Sequence, residues 1–289
     1  MEAVKTRLLQ QDWFKFGVVA AATLALYAPV LAKLGRDWWQ NPNYSQGFLI
    51  PPLAAYLVWE KRQTLAGTPA RPSNWGLLLA AGAAGLLFLG SLGAELFLTR
   101  ISLVLMLAAL VVFLGGWHWL RQVIFPLGVL LLMIPIPEII FNELALPMQL
   151  AATRMAGSFL GSVGIPVFLE GNLIELPHNV TLEVAEACSG IRSLMALVAL
   201  GVIYAHFADS RRAVRWILVA ATFPIAVIAN GVRIAGTGIL TYWIGQDAAE
   251  GYFHIFSGWL VFISAFLLLV ALHKLISLVW RRPGKVAAQ

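Results

Sequence analysis

Long apolar segments, separated by short polar ones, run through almost the whole chain. A transmembrane helix needs about 20 mostly apolar residues, and about eight segments approach that length: Phe14–Leu31, Gly47–Trp59, Trp75–Leu92, Ile101–Gly116, Val123–Ile136, Ile191–Phe207, Trp216–Leu240 and Phe253–Val279. The second and the fifth are short, and Pro51-Pro52 interrupts the second, so each is expected to be tilted, kinked or partly re-entrant. The pattern predicts an all-α polytopic membrane protein of about eight transmembrane helices, folded as one integral membrane domain over residues 1–289.

The longest stretch between two predicted spans is Pro137–Ala187. Within it, Ile139–Leu160 carries apolar residues at helical spacing with polar residues interspersed, which predicts an amphipathic helix along the membrane interface. Gly171-Asn172 lies between two runs rich in β-forming residues, as is typical of a hairpin turn. We therefore expect a small extracytoplasmic insert, about residues 137–187, in which an amphipathic helix and a β-hairpin precede Cys188.

Composition supports a lipid environment. The chain is 60% hydrophobic and 12% charged, whereas a soluble globular protein is about half apolar and about a quarter charged. The single cysteine excludes an intramolecular disulfide.

The distribution of charge indicates the orientation in the membrane, because cytoplasmic loops are enriched in lysine and arginine. With both termini cytoplasmic and eight crossings, few basic residues lie outside, namely Lys33, Arg36, Arg100 and Arg154. The cytoplasmic set is Lys5, Arg7, Lys15, Lys61, Arg62, Arg71, Arg121, Arg211, Arg212, Arg215, Lys274, Arg281, Arg282 and Lys285. The acids collect outside: Asp37, Glu95, Glu138, Glu143, Glu170, Glu175, Glu183, Glu186, Asp247 and Glu250. This predicts a multi-pass protein of the inner (cytoplasmic) membrane, and it accounts for the net charge of +6 without nucleic acid.

Two arginines fall inside predicted spans, where ionisable residues are costly and usually mark function. Arg192 lies just inside the sixth span, and Arg233 lies in the seventh, in a stretch weakened by Gly231, Gly236 and Gly238. The alternative for Arg233 is a structural arginine that snorkels to the interface or pairs with an external glutamate.

The single cysteine stands in Glu186-Ala-Cys188-Ser-Gly-Ile-Arg192. A cysteine and an arginine four positions apart lie on one face of a helix, and a thiol at a helix N-terminus also benefits from the positive end of the macrodipole. Both effects favour the thiolate, which is the nucleophilic form. The alternative is a buried, inert cysteine, which is the more common case for such a residue taken alone.

His254 begins the eighth span and, taken alone, is an ordinary interfacial histidine. The predicted topology favours a functional role for His254, because it brings His254, Cys188 and the outer half of the seventh span, with Arg233, to the external face. A thiol, a fixed cation and an imidazole suffice for acyl transfer. Arg233 would lie about 15 Å below Trp243, so the pocket requires a vestibule or a helix that ends near Gly236.

No cysteine or histidine cluster has metal-ligand spacing, and no glycine-rich phosphate loop occurs. No metal and no cofactor is therefore predicted. Multispanning transporters or channels for anionic solutes also place arginines along a path and break their helices at glycine, but no paired repeat halves are found here. A non-catalytic scaffold for envelope polysaccharide assembly is a further alternative.

At these residues the sequence resembles the exosortase/archaeosortase family of membrane cysteine transpeptidases. The similarity covers roughly residues 40–275 and rests on Ala187-Cys-Ser-Gly-Ile-Arg192, Asn230-Gly-Val-Arg-Ile234 and His254. The resemblance implies Cys188 as nucleophile, Arg233 as oxyanion stabiliser and His254 as acid and base. Glu186, Arg192 and Asn230 would be supporting residues.

The resemblance also implies the partners. The substrates would be exported proteins whose C-terminal sorting signal consists of a short motif (often Pro-Glu-Pro), a transmembrane helix and a basic tail. The enzyme would cleave near the motif and transfer the new C-terminus to a lipid or glycan acceptor of the envelope.

Overall fold

The computed structural model describes residues 2–177, 180–183, 191–245 and 252–280, which form ten α-helices and one small β-sheet. The all-α polytopic fold predicted from the sequence is confirmed. The chain divides into two compact units, Met1–Pro135 and Ile136–Gln289. The single integral membrane domain over residues 1–289 stays a prediction.

The first unit consists of six helices and two 3-10 segments. Helices α1 to α6 span Glu2–Gln40, Ile50–Glu60, Arg62–Gly67, Trp75–Leu92, Leu96–Gly115 and Trp117–Leu130, and the 3-10 segments are Pro42–Phe48 and Leu131–Met133. Helices α4 and α5 pack closely because Gly76 lies directly against the Phe113 backbone, where a Cβ atom would overlap it.

Polar contacts fix one end of the first unit. Arg100 is buried and forms an ion pair with Asp37 at the end of α1, and Lys33 reaches the same carboxylate at 3.4 Å. The Trp38 Nε1 donates a hydrogen bond to the carbonyl oxygen of Met133 at 2.9 Å. A buried arginine needs such a partner, since an unpaired charge in an apolar interior is strongly destabilising.

The second unit contains the residues of interest. Its elements are α7 (Glu138–Ser162), β1 (Phe168–Glu170), β2 (Leu173–Leu176), β3 (Val180–Glu183), α8 (Ile191–Ala208), α9 (Arg212–Ile244) and α10 (Tyr252–Val279). Helix α9 is central, because α7, α8 and α10 all pack on it.

The sheet is antiparallel in the order β1-β2-β3. Glu170 pairs with Leu173 across the Gly171-Asn172 turn, and Gly171 has φ +60°, so the hairpin is confirmed and glycine suits its left-handed conformation. The third strand, β3, was not predicted as a partner of this hairpin. Ile174 of β2 is fully buried and packs in one cluster with Leu160 of α7 and Ile234 of α9.

The number of spanning helices is lower than the predicted eight. Among the described residues, five helices are long and apolar enough to cross a membrane, or six when Trp117–Met133 and Glu138–Ser162 count as one broken span. The second predicted segment is divided between a 3-10 helix and the short α2, and the sixth, α8, is a shorter apolar helix. Each of these is shorter than the roughly 20 residues that a spanning helix requires.

Helix α7 confirms the helix predicted over Ile139–Leu160, and its exposed face is mixed, with Glu143 and Arg154 among large apolar side chains. One face is buried in a stripe that includes Ala152, Ala156 and Leu160, and it packs on α9 and the sheet. The other face exposes large apolar side chains, among them Ile139 (78% exposed) and Leu146 (55%). Such a helix is covered by protein on one side and has a mixed apolar and polar face on the other, as is typical of a membrane interface.

Candidate active site

Helix α9 carries Arg233 and continues for eleven further residues to Ile244. The helix end near Gly236 that the sequence allowed is not present. Gly238 explains the continuity, since a Cβ atom at this position would lie 2.9 Å from Leu160 of α7. The glycine permits α7 to approach closely, and this packing outweighs the low helix propensity of glycine.

The Arg233 side chain extends to the first turns of α10. Its Nε donates a hydrogen bond to the Ser257 Oγ at 3.3 Å. The guanidinium also lies beside Gly258, where an added Cβ would be 3.8 Å from Nη2. An added Cβ here would make only an ordinary van der Waals contact with the arginine head group, which is half-buried.

Position 254 lies on the same part of α10. It precedes Ser257 by three residues and Gly258 by four, and residues at these spacings share one face of a helix. The side chain of His254 lies outside the described residues, so its proton-transfer role stays a prediction. The backbone position alone is adjacent to the turn that Arg233 contacts.

Arg192 lies in the first turn of α8 and is exposed. Its charge interacts electrostatically with that of Arg233, so α8 and α9 bring two like charges together. Cys188 and Glu186, the predicted nucleophile and one supporting residue, precede α8 and lie outside the described residues. Their roles also stay predictions.

Asn230, the third supporting residue, is buried with 3% of its surface exposed. It stands one helical turn before Arg233, on the stretch of α9 that α7 covers. A buried amide at this position is expected to be hydrogen-bonded.

Ser257 was missed by reasoning from the sequence. A signal was present, since a hydroxyl three residues after His254 shares its helix face. A serine in an apolar helix is nevertheless too common to be singled out without the contact to Arg233.

The arrangement suits the binding of a negatively charged group. Arg192 and Arg233 are two guanidinium cations from different helices whose charges interact, and fixed cations stabilise an oxyanion that develops during acyl transfer. In the part of the chain that the structure describes, no three His, Cys, Asp or Glu side chains are grouped as metal ligands would be. No residue is therefore assigned to a metal or a cofactor.

Comparison with known proteins adds one finding. A family model described as a transmembrane exosortase matches residues 38–271, a range that contains both arginine positions and positions 188 and 254. No curated protein and no solved structure gives a significant match.

Proposed function

The chain belongs to the transmembrane exosortase family, and we propose that it is a membrane cysteine transpeptidase for the C-terminal sorting signals of exported proteins. The observation that carries the proposal is the contact of Arg233 with Ser257 and Gly258 of α10. This contact joins a half-buried cation to the helix turn next to position 254. Arg192, whose charge interacts with that of Arg233, stands four residues after Cys188 in the sequence.

In the proposed first half-reaction, the Cys188 thiolate attacks the scissile carbonyl carbon, and the carbonyl oxygen takes up the negative charge. Arg233 stabilises that oxyanion. His254 gives a proton to the leaving amine as the C–N bond breaks, and a thioester between Cys188 and the exported protein remains.

In the second half-reaction, the neutral His254 removes a proton from the acceptor nucleophile. The acceptor attacks the thioester carbon, a second oxyanion forms beside Arg233, and the C–S bond breaks to restore the thiolate. The acceptor is a lipid or glycan of the envelope. Hydrolysis replaces transfer when water takes its place.

The supporting residues act on these groups. The positive charge of Arg192 lowers the cost of the Cys188 thiolate. Ser257 accepts a hydrogen bond from the Nε of Arg233 and thereby orients the guanidinium. Asn230 and Glu186 are proposed to orient Arg233 and the segment that carries Cys188.

The length of α9 supports an external site. Arg233 follows Arg212 by 21 positions, which is about 32 Å along a helix and close to the roughly 30 Å hydrocarbon thickness of a bilayer. With Arg212 at the cytoplasmic edge and α9 perpendicular to the membrane, Arg233 would lie near the opposite edge. We accordingly propose a multi-pass inner-membrane protein with cytoplasmic termini and an extracytoplasmic active site.

The decisive experiment is the processing of an exported protein with a motif, a transmembrane helix and a basic tail in cells that produce Cys188→Ala or Cys188→Ser. We expect neither variant to process the substrate, while both accumulate in the membrane at the wild-type level. Processing at the normal rate by Cys188→Ala would refute the proposed nucleophile. The matched control is His118→Ala, which alters an exposed histidine of the first unit and should leave processing unchanged.

A further inference from the structure

A second polar cluster lies at the other ends of α8, α9 and α10, about 28 Å along α10 from position 254. Its centre is Asp209, in the turn between α8 and α9, with a side chain only 7% exposed. The Asp209 carboxylate accepts hydrogen bonds from the Arg211 guanidinium at 2.6 to 3.1 Å and contacts the His273 Nε2 at 3.3 Å. We call Tyr204, Asp209, Arg211 and His273 the distal cluster.

The distal cluster connects all three helices. The Tyr204 hydroxyl of α8 lies 2.8 Å from the His273 Nδ1 of α10, so both ring nitrogens of this histidine are engaged. Arg211, at the start of α9, donates to the carbonyl oxygen of Trp280 at 2.7 Å, beyond the last turn of α10. Arg215 of α9 donates to the Asp209 carbonyl oxygen at 2.6 Å and approaches His206 of α8 at 3.4 Å.

Few side chains in the described part of α10 are fully buried. Among its described residues, only Ala265 and Leu269 are buried, and most of the helix exposes large apolar side chains such as Trp259 and Leu267. Its identified polar attachments are the distal cluster at one end and the Ser257 contact with Arg233 at the other. These hydrogen bonds act together with the packing of α10 on α9 and α8 to set the tilt of α10.

These helices are the ones that carry the proposed active site. Cys188 precedes α8, Arg233 belongs to α9 and His254 belongs to α10. Position 254 stands 19 residues before His273, so a rotation of α10 by about 5° at the distal cluster moves position 254 by about 2.5 Å, given the helix rise of 1.5 Å per residue. A displacement of only about 1 Å in a reacting group can cost about 100-fold in rate.

We propose that Tyr204, Asp209 and His273 are positioning residues that set the tilt of α10 and thereby the placement of His254 relative to Arg233. This inference rests on the proposed function. The three side chains touch neither substrate nor reacting atoms, and their effect is transmitted along rigid helices. The cluster therefore acts on turnover rather than on substrate binding.

The test combines kinetics with a distance measurement. His273→Ala removes the links to Asp209 and Tyr204 and is expected to lower kcat for the tripartite substrate about 10- to 100-fold with KM unchanged. His273→Gln keeps an N–H donor for Asp209 and should recover most of kcat. Tyr204→Phe removes a single hydroxyl and serves as the mild variant if His273→Ala does not fold. His118→Ala is again the control.

Spin labels at Val232 of α9 and Trp259 of α10, both exposed, report the helix separation near the site in a Cys188→Ala background. We expect His273→Ala and Tyr204→Phe to shift or broaden this distance, while His273→Gln and His118→Ala leave it unchanged. An unaltered distance in the folded His273→Ala variant, or a kcat within twofold of wild type, would overturn the inference. Because the distance requires no catalysis, it decides the question even if the proposed function fails in the Cys188 test.

Discussion

Arg233 has two tasks that depend on the shape of its guanidinium. Its Nε bonds Ser257, and its terminal nitrogens lie beside Gly258. A planar fork performs both tasks at once, whereas the ammonium of a lysine is a single point of charge on a flexible stem. A positive charge at position 233 is therefore not sufficient for the reaction, and the planar geometry of the guanidinium should matter as well.

For this reason we expect Arg233→Lys to lower the processing rate by about 100-fold or more, the usual cost of losing one oxyanion donor. The rate is measured on the tripartite substrate, and the membrane level of the variant is measured in parallel. Gly258→Ala is the matched control, since its added methyl would lie at an ordinary contact distance of 3.8 Å from the guanidinium. Full activity of Arg233→Lys would reduce the role of Arg233 to bulk electrostatics.

Asp209 supplies a residue-level prediction about pH. The hydrogen bonds from Arg211 hold the pKa of the Asp209 carboxyl well below its usual range. A lowered pKa stabilises the folded state above the unfolded pKa of about 3.9, and the contribution is lost as the pH falls toward the folded value. Thermal unfolding in detergent should show a difference between wild type and Asp209→Asn that is no smaller at pH 5 than at pH 7 and that decreases below about pH 4. A difference that shrinks between pH 7 and pH 5 would contradict this assignment.

At the scale of elements, the sequence predicted those helices and turns whose formation depends on neighbouring residues in the chain. The hairpin at Gly171-Asn172 and the helix over Ile139–Leu160 are both present, because turn conformation and apolar spacing act over a few residues. The third strand and the continuation of α9 past Gly236 were not predicted. Both depend on packing against α7, which involves residues distant in sequence.

The residues of the candidate site also divide into those that the sequence identified and those that only the structure reveals. Arg192 and Arg233 were identified because charge inside an apolar segment is visible in the sequence, and the structure brings them close together. Ser257 and the distal cluster can be identified only from contacts between helices. Residues such as His273 had no distinguishing neighbours along the chain, so no sequence pattern selected them.

The glycines of α9 give an element-level prediction with an internal control. A methyl group at Gly238 would lie 2.9 Å from the fully buried Leu160, whereas nothing lies within 4 Å of a methyl group at Gly236. We expect Gly238→Ala to lower the free energy of unfolding by about 1–3 kcal/mol. Gly236→Ala should be neutral or stabilising by up to about 1 kcal/mol. Thermal unfolding in detergent compares the two, and equal stabilities would mean that α7 does not constrain α9 at this point.

At the scale of the whole molecule, the number of crossings decides which face carries the site. Helix α2 has 11 residues and is about 16 Å long, which is about half of a bilayer core. The preceding 3-10 segment of seven residues adds about 14 Å, and together they approach 30 Å. Irregular backbone is tolerated at membrane depth where protein covers it, and this segment packs on α1.

If this combined segment crosses the membrane, the loop after it, with Lys61, Arg62 and Arg71, is cytoplasmic, as the enrichment of basic residues in such loops requires. If it does not cross, the same three cations lie outside. Two single-cysteine variants in a Cys188→Ala background distinguish these cases: Ala70→Cys in that loop and Glu170→Cys in the sheet, both at exposed positions. A membrane-impermeant maleimide should label Glu170→Cys in intact spheroplasts and Ala70→Cys only after permeabilisation. Labelling of Ala70→Cys from outside would mean that the segment formed by the 3-10 helix and α2 does not cross the membrane. The orientation of every later helix would then have to be reassigned from its own charges.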